Sequence, residues 1–409
     1  MRATSGLRIA RAALGLGLAS ASLALGRVQA DPAPPPSLWV PGLAAPKLAA
    51  GATQPGPTLN VKSAPFLARG DGTGDDTPAI QRAIDAVAGT GGTLVIPDGT
   101  YLVNPVAHEG RAGLVLGGRM TLRMAPGAVL KALPCASETY AILSASGLSD
   151  LSITGGTLVG ERDRHQGDTG EWGMGLQLMD AVRVSVRQVT ARECWGDGFY
   201  IGGASRAITL GGLTAEHNRR QGLSITGGES ILVRDSAFNG TVGTEPQSGI
   251  DIEPNRGDTV RNVLITGCTL RGNAGDGIQC GVPEKHTGEA TVAGVRIDRN
   301  QALGNGFGRT GNGIRITNHH GTQVTNNQVK DNQGLGILLA GGADDTLCSG
   351  NTVTGTRGKP GNGILEYDCS GNTIVGNTVT GSSGKGIVSQ QCADSTIRDN
   401  LERGNGSWF

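Results

Sequence analysis

The chain has 409 residues, of which 69 are glycine and only 3% are aromatic, and its 35 basic residues balance 35 acidic ones. A neutral chain lacks the basic surplus that drives binding to nucleic acid or to an anionic membrane, so neither is expected as a partner. Abundant glycine with few aromatic residues is typical of a fold with recurrent tight turns and a narrow core.

The first 30 residues are typical of an export signal. Three arginines precede an apolar run from 12 to 25, and Ala30 ends a small-x-small cleavage site. The run is too short to span a membrane comfortably. We therefore predict cleavage near Asp31 and a secreted or periplasmic protein that is not held by a membrane; an uncleaved N-terminal anchor is the alternative.

The segment 31–61 is rich in proline and alanine, which is typical of a flexible linker. One folded domain is predicted to follow it, over residues 62–409.

An amphipathic helix is predicted over 79–87, near the start of this domain. Asp76 or Thr77 is placed to cap it, and Pro78 lies in its first turn. One face carries an apolar stripe, formed by Ile80, Ala83, Ile84 and Val87. A strand, a turn and a second strand are predicted over 91–101. We expect the helix to cover the open end of the core that follows.

A glycine followed by an apolar residue recurs nine times, in steps of 23, 24, 27, 28, 36, 23, 27 and 23 residues. The nine are Gly175, Gly198, Gly222, Gly249, Gly277, Gly313, Gly336, Gly363 and Gly386. Such a period marks stacked units, and apolar residues at Gly+1 and usually Gly+3 indicate strands with one buried face. The chain is therefore predicted to be all-β: a single-stranded, right-handed parallel β-helix with the helix as its N-terminal cap.

Two rows of asparagine support the stacking. Asn218, Asn273 and Asn332 each lie four residues before a repeat glycine, and Asn327, Asn351 and Asn377 suggest a second row. Stacked asparagine side chains hydrogen-bond to one another and to the backbone along a coil.

Seven cysteines leave at least one free thiol. Cys369 and Cys392 each follow a repeat glycine by six residues and should lie on adjacent turns, where either a disulfide or two reduced thiols fit.

The segment GDGTGDDTPAIQRAIDAV…GGTLVIPDGTYLV, from Gly70 to Val103, resembles the N-terminal signature of the pectate-lyase-like superfamily, in its rhamnogalacturonase/epimerase-like branch. With the repeats, the resemblance covers roughly residues 62 to 400. It implies a β-helix that binds carbohydrate, but the superfamily contains hydrolases, lyases and epimerases, so it does not fix the reaction.

Two departures from related motifs matter. Asp197 falls near the Asn-Thr-Asp turn that polygalacturonases share, and we assign it to substrate binding, but their Asp-Asp pair has no counterpart here. The stretch from Gly249 to Glu253 matches the epimerase motif Tyr-Gly-Phe-Asp-Pro-His-Glu only in its glycine and aspartate.

The outward positions Gly+2 and Gly+4 are polar mainly between 198 and 315, which predicts a groove there. Asp251 and Glu253 are two such positions on one strand, about 6.5–7 Å apart along it. This spacing suits an acid and a base across a water, as in inverting hydrolysis. It also suits a calcium site, which would be the cofactor, one carboxylate that holds a basic partner, or a pair of solvated acids.

Basic residues cluster on the neighbouring repeats: Arg219, Arg220, Lys285, His286 and Arg315. We predict that they bind an anionic sugar, because a cation beside a uronate carboxylate acidifies the adjacent proton for β-elimination or epimerisation. Tyr200 and His217 are candidates for the base or the acid.

Three insertions break the repeat at 160–174, 240–248 and 281–293, and insertions on a solenoid usually line its binding face. Trp172, in the first, is a candidate for stacking on a sugar ring or for anchoring the loop.

The sequence thus predicts a secreted enzyme acting on a polysaccharide. Lyase or epimerase action on a uronate-containing glycan is our first choice, hydrolysis of polygalacturonase type by Asp251 and Glu253 is the second, and a non-catalytic glycan-binding surface protein is the third.

Overall fold

The computed structural model describes residues 56–307 and 311–407. The predicted export signal over 1–30 and most of the linker lie outside the described residues. Within the described part of the chain, no helix is long and apolar enough to cross a membrane.

The chain coils through three parallel sheets of 13, 13 and 11 strands, contributing one strand to each sheet on most turns. Sheet 1 comprises Thr58–Asn60, Thr93–Ile96, Met120–Met124, Ser149–Thr154, Val182–Arg187, Arg206–Gly211, Gly228–Arg234, Thr259–Thr266, Thr291–Asp298, Gln323–Thr325, Leu347–Ser349, Thr373–Val375 and Thr396–Arg398. Sheet 2 comprises Asp71–Asp75, Gly99–Val103, Ala128–Ala132, Thr157–Val159, Thr190–Arg192, Thr214–Glu216, Ala237–Asn239, Thr269–Arg271, Gln301–Leu303, Gln328–Lys330, Thr352–Thr354, Thr378–Thr380 and Leu401–Arg403. Sheet 3 comprises Ala112–Val115, Thr139–Ser146, Trp172–Met179, Phe199–Gly202, Leu223–Ile225, Ile250–Ile252, Ile278–Gly281, Ile314–His320, Ile337–Asp344, Ile364–Tyr367 and Ile387–Gln390. The predicted all-β, parallel β-helix is confirmed.

Helix α1 (Thr77–Val87) covers the first turn of the coil, as predicted. Its stripe is fully buried, and it packs against strands of all three sheets. The capping differs in detail: the Asp76 carboxylate accepts hydrogen bonds from the amides of Arg69 and Gly70, not from the helix. The helix thereby closes the apolar end of the core, and Asp76 ties the preceding strand to it.

Strand pairing begins earlier than predicted. Thr58–Asn60 lies inside the segment 31–61 that we assigned to the linker, and it pairs in parallel with Thr93–Val95. The coil therefore starts before residue 62, because the polar composition of this stretch conceals a strand at the edge of sheet 1.

The repeat glycines begin the strands of sheet 3. Ile250, Ile278 and Ile314, at Gly+1, are completely buried, as predicted. A Cβ added to Gly222 would lie 2.5 Å from the carbonyl oxygen of Gly249, one turn further on. Glycine recurs because adjacent turns approach each other too closely for any side chain.

Both asparagine rows form hydrogen-bonded ladders inside the turns, and the second is continuous from Asn300 to Asn400. Asn351 donates to the carbonyl of Val324 at 2.8 Å and to Oδ1 of Asn377 at 3.0 Å, and its own Oδ1 accepts from Asn327. Asn305 and Thr241 also belong to the first row. They were not recognised from the sequence, because the insertions change their distance from the repeat glycine.

All seven cysteines are free thiols. Cys369 and Cys392 do lie on adjacent turns, since Ser370 pairs with Ala393, and they are reduced in this structure.

Candidate active site

A pocket lies over sheet 3, on the turns where the outward polar residues concentrate. It is lined by Glu171, Trp172, Arg220, Ser224, Thr226, Asp251, Glu253, Pro254, Asn255, Lys285 and His286. Six of these were predicted as site residues. The first insertion supplies Glu171 and Trp172, and the third supplies Lys285 and His286, so two of the three insertions form walls of the pocket.

Asp251 lies at the floor of the pocket on the strand Ile250–Ile252. Its side chain points away from the core, as the register predicts, yet the residue is only 2% exposed. Gln221 donates from Nε2 to Asp251 Oδ2 at 2.7 Å, and Gln221 Oε1 accepts from the Ser248 amide at 2.8 Å. These two bonds fix the orientation of the Gln221 amide. Asp251 Oδ1 is buried, and no N–H or hydroxyl group in the described part of the chain donates to it.

The surroundings of Asp251 favour its protonated form. Burial raises its pKa well above the ordinary value, and Glu253 adds to the shift by its charge and by a side-chain hydrogen bond, whereas Arg220 and Arg315 oppose it. Because Oδ2 already accepts from Gln221, Oδ1 is the oxygen available to carry a proton. Asp251 is therefore a candidate proton donor with a second carboxyl group, that of Glu253, beside it.

The extended strand that was predicted to carry both acids ends between them. The strand ends at Ile252 and the chain leaves the sheet towards Pro254, so Glu253 does not continue the extended alternation. Glu253 still lies close enough to Asp251 to raise its pKa by its charge and by a side-chain hydrogen bond.

The surroundings of Asp251 are unfavourable for calcium. Ca²⁺ is bound by six to eight oxygen ligands, usually with ionised carboxylates among them. Asp251 has a raised pKa and accepts an amide N–H, and the Arg220 cation lies beside it.

Arg220 is buried at the edge of the pocket and already paired. Its side chain is 15% exposed and lies 3.2 Å from Asp197 and 3.4 Å from Glu171. Asp197 is fully buried and accepts a hydrogen bond from Ser224 Oγ at 2.7 Å. Burial raises the pKa of Asp197, while Arg220 opposes the shift. Arg220 and Asp197 therefore form an ion pair beneath the pocket and leave little of Arg220 for a ligand.

The structure places Arg219 and Arg315 outside the pocket lining. The Arg219 guanidinium stacks on Trp195, 3.7 Å from the ring centroid, and donates to the carbonyl of Gly170 at 2.8 Å. Arg315 Nε lies 2.8 Å from Asp276. Both residues hold loops in place next to the pocket.

Tyr200 and His217 are also not part of the lining. The Tyr200 hydroxyl accepts a hydrogen bond from Thr226 at 2.8 Å, which places it behind a residue that does line the pocket. His217 is exposed and follows the sheet 2 strand Thr214–Glu216, in a left-handed turn with φ of 52°. The turn into the asparagine ladder at Asn218 directs this part of the chain away from the acid pair.

Lys285 is the pocket's unpaired cation. It is exposed, in the short 3₁₀ helix Glu284–His286, and has no ion-pair or hydrogen-bond partner among residues 56–307 and 311–407. His286 braces this segment, because its Nδ1 lies 3.0 Å from the carbonyl oxygen of Pro254. Trp172 is 43% exposed on the opposite insertion, so its ring is available to a ligand.

The stability of the folded protein should depend on pH through the raised pKa of Asp251. Below 3.8, its ordinary pKa, the carboxyl is protonated in both folded and unfolded chains. As the pH rises, the unfolded carboxyl ionises first, so the stability that Asp251 contributes is lost up to its raised folded pKa. As the pH rises above 3.8, we expect the urea midpoint of the wild-type protein to fall relative to that of Asp251→Asn, which does not titrate. Parallel pH profiles for the two proteins would contradict a raised pKa.

Comparison with known proteins agrees with this architecture. Residues 59–115 match the family model "Rhamnogalacturonase A/epimerase, pectate lyase-like", residues 169–288 match "Right handed beta helix region", and residues 256–407 match "Periplasmic copper-binding protein (NosD)". The chain is thus a right-handed parallel β-helix protein, and its N-terminal part is similar to the pectate-lyase-like family model.

Two curated relatives share part of the sequence. The chain is 27% identical over 219 residues to the uncharacterized protein YclG of Bacillus subtilis (strain 168), which is 47% of this chain and 38% of YclG. It is 34% identical over 149 residues to the mannuronan C5-epimerase AlgE1 of Azotobacter vinelandii, which is 33% of this chain and 10% of AlgE1. The chain thus spans well under half the length of either relative.

Two solved structures show the same fold. The A-module of the mannuronan C-5 epimerase AlgE6 of Azotobacter vinelandii superposes with a TM-score of 0.53 at 23% identity, covering 86% of this chain and 99% of that one. An exopolygalacturonase of Thermotoga maritima superposes with a TM-score of 0.57 at 14% identity, covering 85% and 92%.

The described residues that match the third family model give no support for a copper site. Within 256–407, the described residues contain no group of three His, Cys, Asp or Glu donors close enough to hold one ion.

Proposed function

We propose that the chain acts on a uronate-containing polysaccharide in this pocket, as a lyase or an epimerase, by removing the proton beside the uronate carboxylate. The observation that carries the proposal is the buried carboxyl group of Asp251 in one pocket with Glu253 and the unpaired Lys285. Removal of that proton requires a base, an acid and a cation for the carboxylate, and the pocket supplies one of each.

Each residue has a definite part in the reaction. Lys285 pairs with the substrate carboxylate. This pairing makes the proton on the neighbouring carbon more acidic. Glu253 takes the proton from that carbon. In elimination, the electron pair forms a carbon–carbon double bond, the glycosidic carbon–oxygen bond breaks, and the leaving oxygen takes the proton of Asp251. In epimerisation, the glycosidic bond stays intact, the carbon takes a proton from solvent water on its other face, and the proton held by Glu253 passes to solvent.

The walls of the pocket suit a sugar chain. Trp172 presents an apolar ring face at one side, and Thr226 and Asn255 present polar groups at the other. An aromatic face with a few convergent polar groups is a typical lining for a small ligand. The mannuronan C5-epimerase among the relatives supports a uronate polymer as the substrate class.

Hydrolysis is the second candidate, because a protonated carboxyl beside a carboxylate is also the machinery of glycoside hydrolysis. Contact between Asp251 and Glu253 disfavours it, since a hydrolase holds its two carboxyl groups about 5 Å apart or more. Elimination and epimerisation do not require that gap.

The test is a screen of the purified protein on uronate and neutral glycans, with ultraviolet absorbance and reducing ends measured together. Unsaturated, absorbing products support elimination, and unchanged chain length with altered sugar configuration supports epimerisation. New reducing ends without absorbance indicate hydrolysis. Binding without any product would indicate a non-catalytic glycan-binding protein and would reject the proposal.

We also propose that the mature protein is secreted or periplasmic. The support is the apolar run over 12–25, which follows three arginines and precedes the small-x-small site that ends at Ala30. Mass spectrometry of exported protein that still carries Met1 would reject cleavage of the signal.

Replacement of Lys285 tests the binding of the carboxylate. We expect Lys285→Met to raise KM about tenfold, since a hydrogen bond to a charged group contributes about 1.5–3 kcal/mol. Lys330→Met is the matched control, because Lys330 is exposed on sheet 2 and faces Asp331. Equal KM values for the two variants would remove Lys285 from the site.

A further inference from the structure

A second cluster of reactive side chains lies at the base of the first insertion, outside the pocket lining. It consists of Cys135, Glu161 and His165, and one donor atom of each lies within 4.8 Å of the other two. Among the described residues, this is the one group of three His, Cys, Asp or Glu side chains placed closely enough to share an ion.

The cluster is buried and incompletely hydrogen-bonded. The side chains of Glu161 and His165 are 0% and 1% exposed, and Cys135 is 8% exposed. His165 Nδ1 lies 2.8 Å from Glu161 Oε1, which also accepts from the Tyr140 hydroxyl. The other carboxylate oxygen, Oε2, and the other ring nitrogen, Nε2, are buried without a partner in the described part of the chain. Buried polar atoms without a partner destabilise a fold unless something binds them.

We propose that Cys135, Glu161 and His165 bind one transition-metal ion of the borderline-soft divalent class, represented by Zn²⁺. A thiolate, an imidazole and a carboxylate are the three ligand types that zinc takes from proteins. The two negative ligands balance the charge of the ion, and a water completes four-coordination. Calcium and magnesium do not fit, because both take oxygen ligands and avoid thiolates.

Ion binding releases a proton from the cluster. Burial raises the pKa of the Cys135 thiol, with a smaller contribution from the charge of Glu161, so the free protein holds this thiol protonated. The ion binds the thiolate, and the sulfur–hydrogen bond gives its proton to solvent. Affinity should therefore increase with pH.

The ion would fix the first insertion to the coil. His165 stacks on Trp195 with ring centroids 3.8 Å apart, and the Gln166 amide donates to the Cys135 carbonyl at 2.9 Å. The same insertion continues to Glu171 and Trp172, which line the pocket. The three ligands are thus positioning residues for that wall and do not touch the substrate.

The test uses the full chain after treatment with a chelator. Titration with Co²⁺ should produce a thiolate-to-cobalt charge-transfer band in the near ultraviolet that saturates at one equivalent, and Zn²⁺ should abolish it. Cys135→Ser should lose the band. Cys268→Ser is the matched control, because Cys268 is equally buried but lies outside the cluster, and it should keep the band.

A second variant covers the case in which Cys135→Ser fails to fold. His165→Gln should reduce zinc retained after equilibrium dialysis by at least about tenfold, since loss of one ligand weakens a three-ligand site strongly. Absence of the band in the wild-type protein, or an unchanged band in Cys135→Ser, would overturn the proposal. These readouts involve no glycan, so their failure would leave the proposed activity standing, and loss of that activity would leave the metal site standing.

Discussion

Asp251→Asn is expected to lower turnover on the uronate substrate by about 10²–10⁴, the range for loss of a general acid or base. Asparagine keeps the shape of the protonated carboxyl, and its amide oxygen still accepts from Gln221 Nε2. Its amide group, however, gives up no proton to a leaving oxygen. Folding should survive, because the substitution replaces a neutral buried group with another neutral one. The measurement is kcat on the glycan identified by the screen.

The control for this variant is Asp298→Asn. Asp298 is 1% exposed and, like Asp251, hydrogen-bonded, through Thr325 and Asn326, but it lies on sheet 1. Its replacement should leave kcat unchanged within about twofold, since surface and remote sites act mainly on stability. A fall in kcat with both variants would point to a general loss of fold, and no fall with Asp251→Asn would remove Asp251 from the chemistry.

Asn351→Ala should lower the free energy of unfolding by about 3 kcal/mol. Asn351 Oδ1 accepts from the amide and side chain of Asn327, and Asn351 Nδ2 donates to Val324 and Asn377. Alanine leaves several of these buried groups unpaired, at about 1–3 kcal/mol for each one. The midpoint of urea denaturation of the mature protein measures the loss.

Thr352→Ala is the neighbouring control. Thr352 is exposed on the strand Thr352–Thr354, so its replacement should change stability by about 0.5 kcal/mol or less. Equal midpoints for Asn351→Ala and Thr352→Ala would show that the ladder contributes no more than the exposed surface of the coil.

The repeats predicted the fold because position in the repeat fixes the direction of each side chain. Glycine at the start of each sheet 3 strand, with apolar residues after it, was enough to place Ile250, Ile278 and Ile314 in the core. The N-terminal cap followed from the apolar stripe of α1. The strand Thr58–Asn60 was missed, because an edge strand of three residues carries no alternation long enough to recognise.

The partners of charged residues could not be predicted in the same way. Arg220 and Asp197 pair across adjacent turns, which depends on side-chain conformation as well as on spacing. Glu253 turns back towards Asp251 because the strand ends between them, and the sequence gives no sign of that end until Pro254.

One signal in the sequence would have identified Gln221. The position directly before the repeat glycine is a buried polar residue on five successive turns: Asp197, Gln221, Ser248, Asp276 and Asn312. Side chains in this row hydrogen-bond to the next turn, as Asn312 does to Asp276 at 2.9 Å. Gln221 belongs to this row and also supports Asp251.

The most direct test of the proposed chemistry is proton NMR of the uronate glycan incubated with the protein in D₂O. Elimination and epimerisation both remove the proton beside the carboxylate, so its signal should disappear with the wild-type protein and persist with Asp251→Asn. Cleavage of the glycan with that signal intact would indicate hydrolysis and contradict the account, and so would an unchanged spectrum for every uronate glycan that the protein binds.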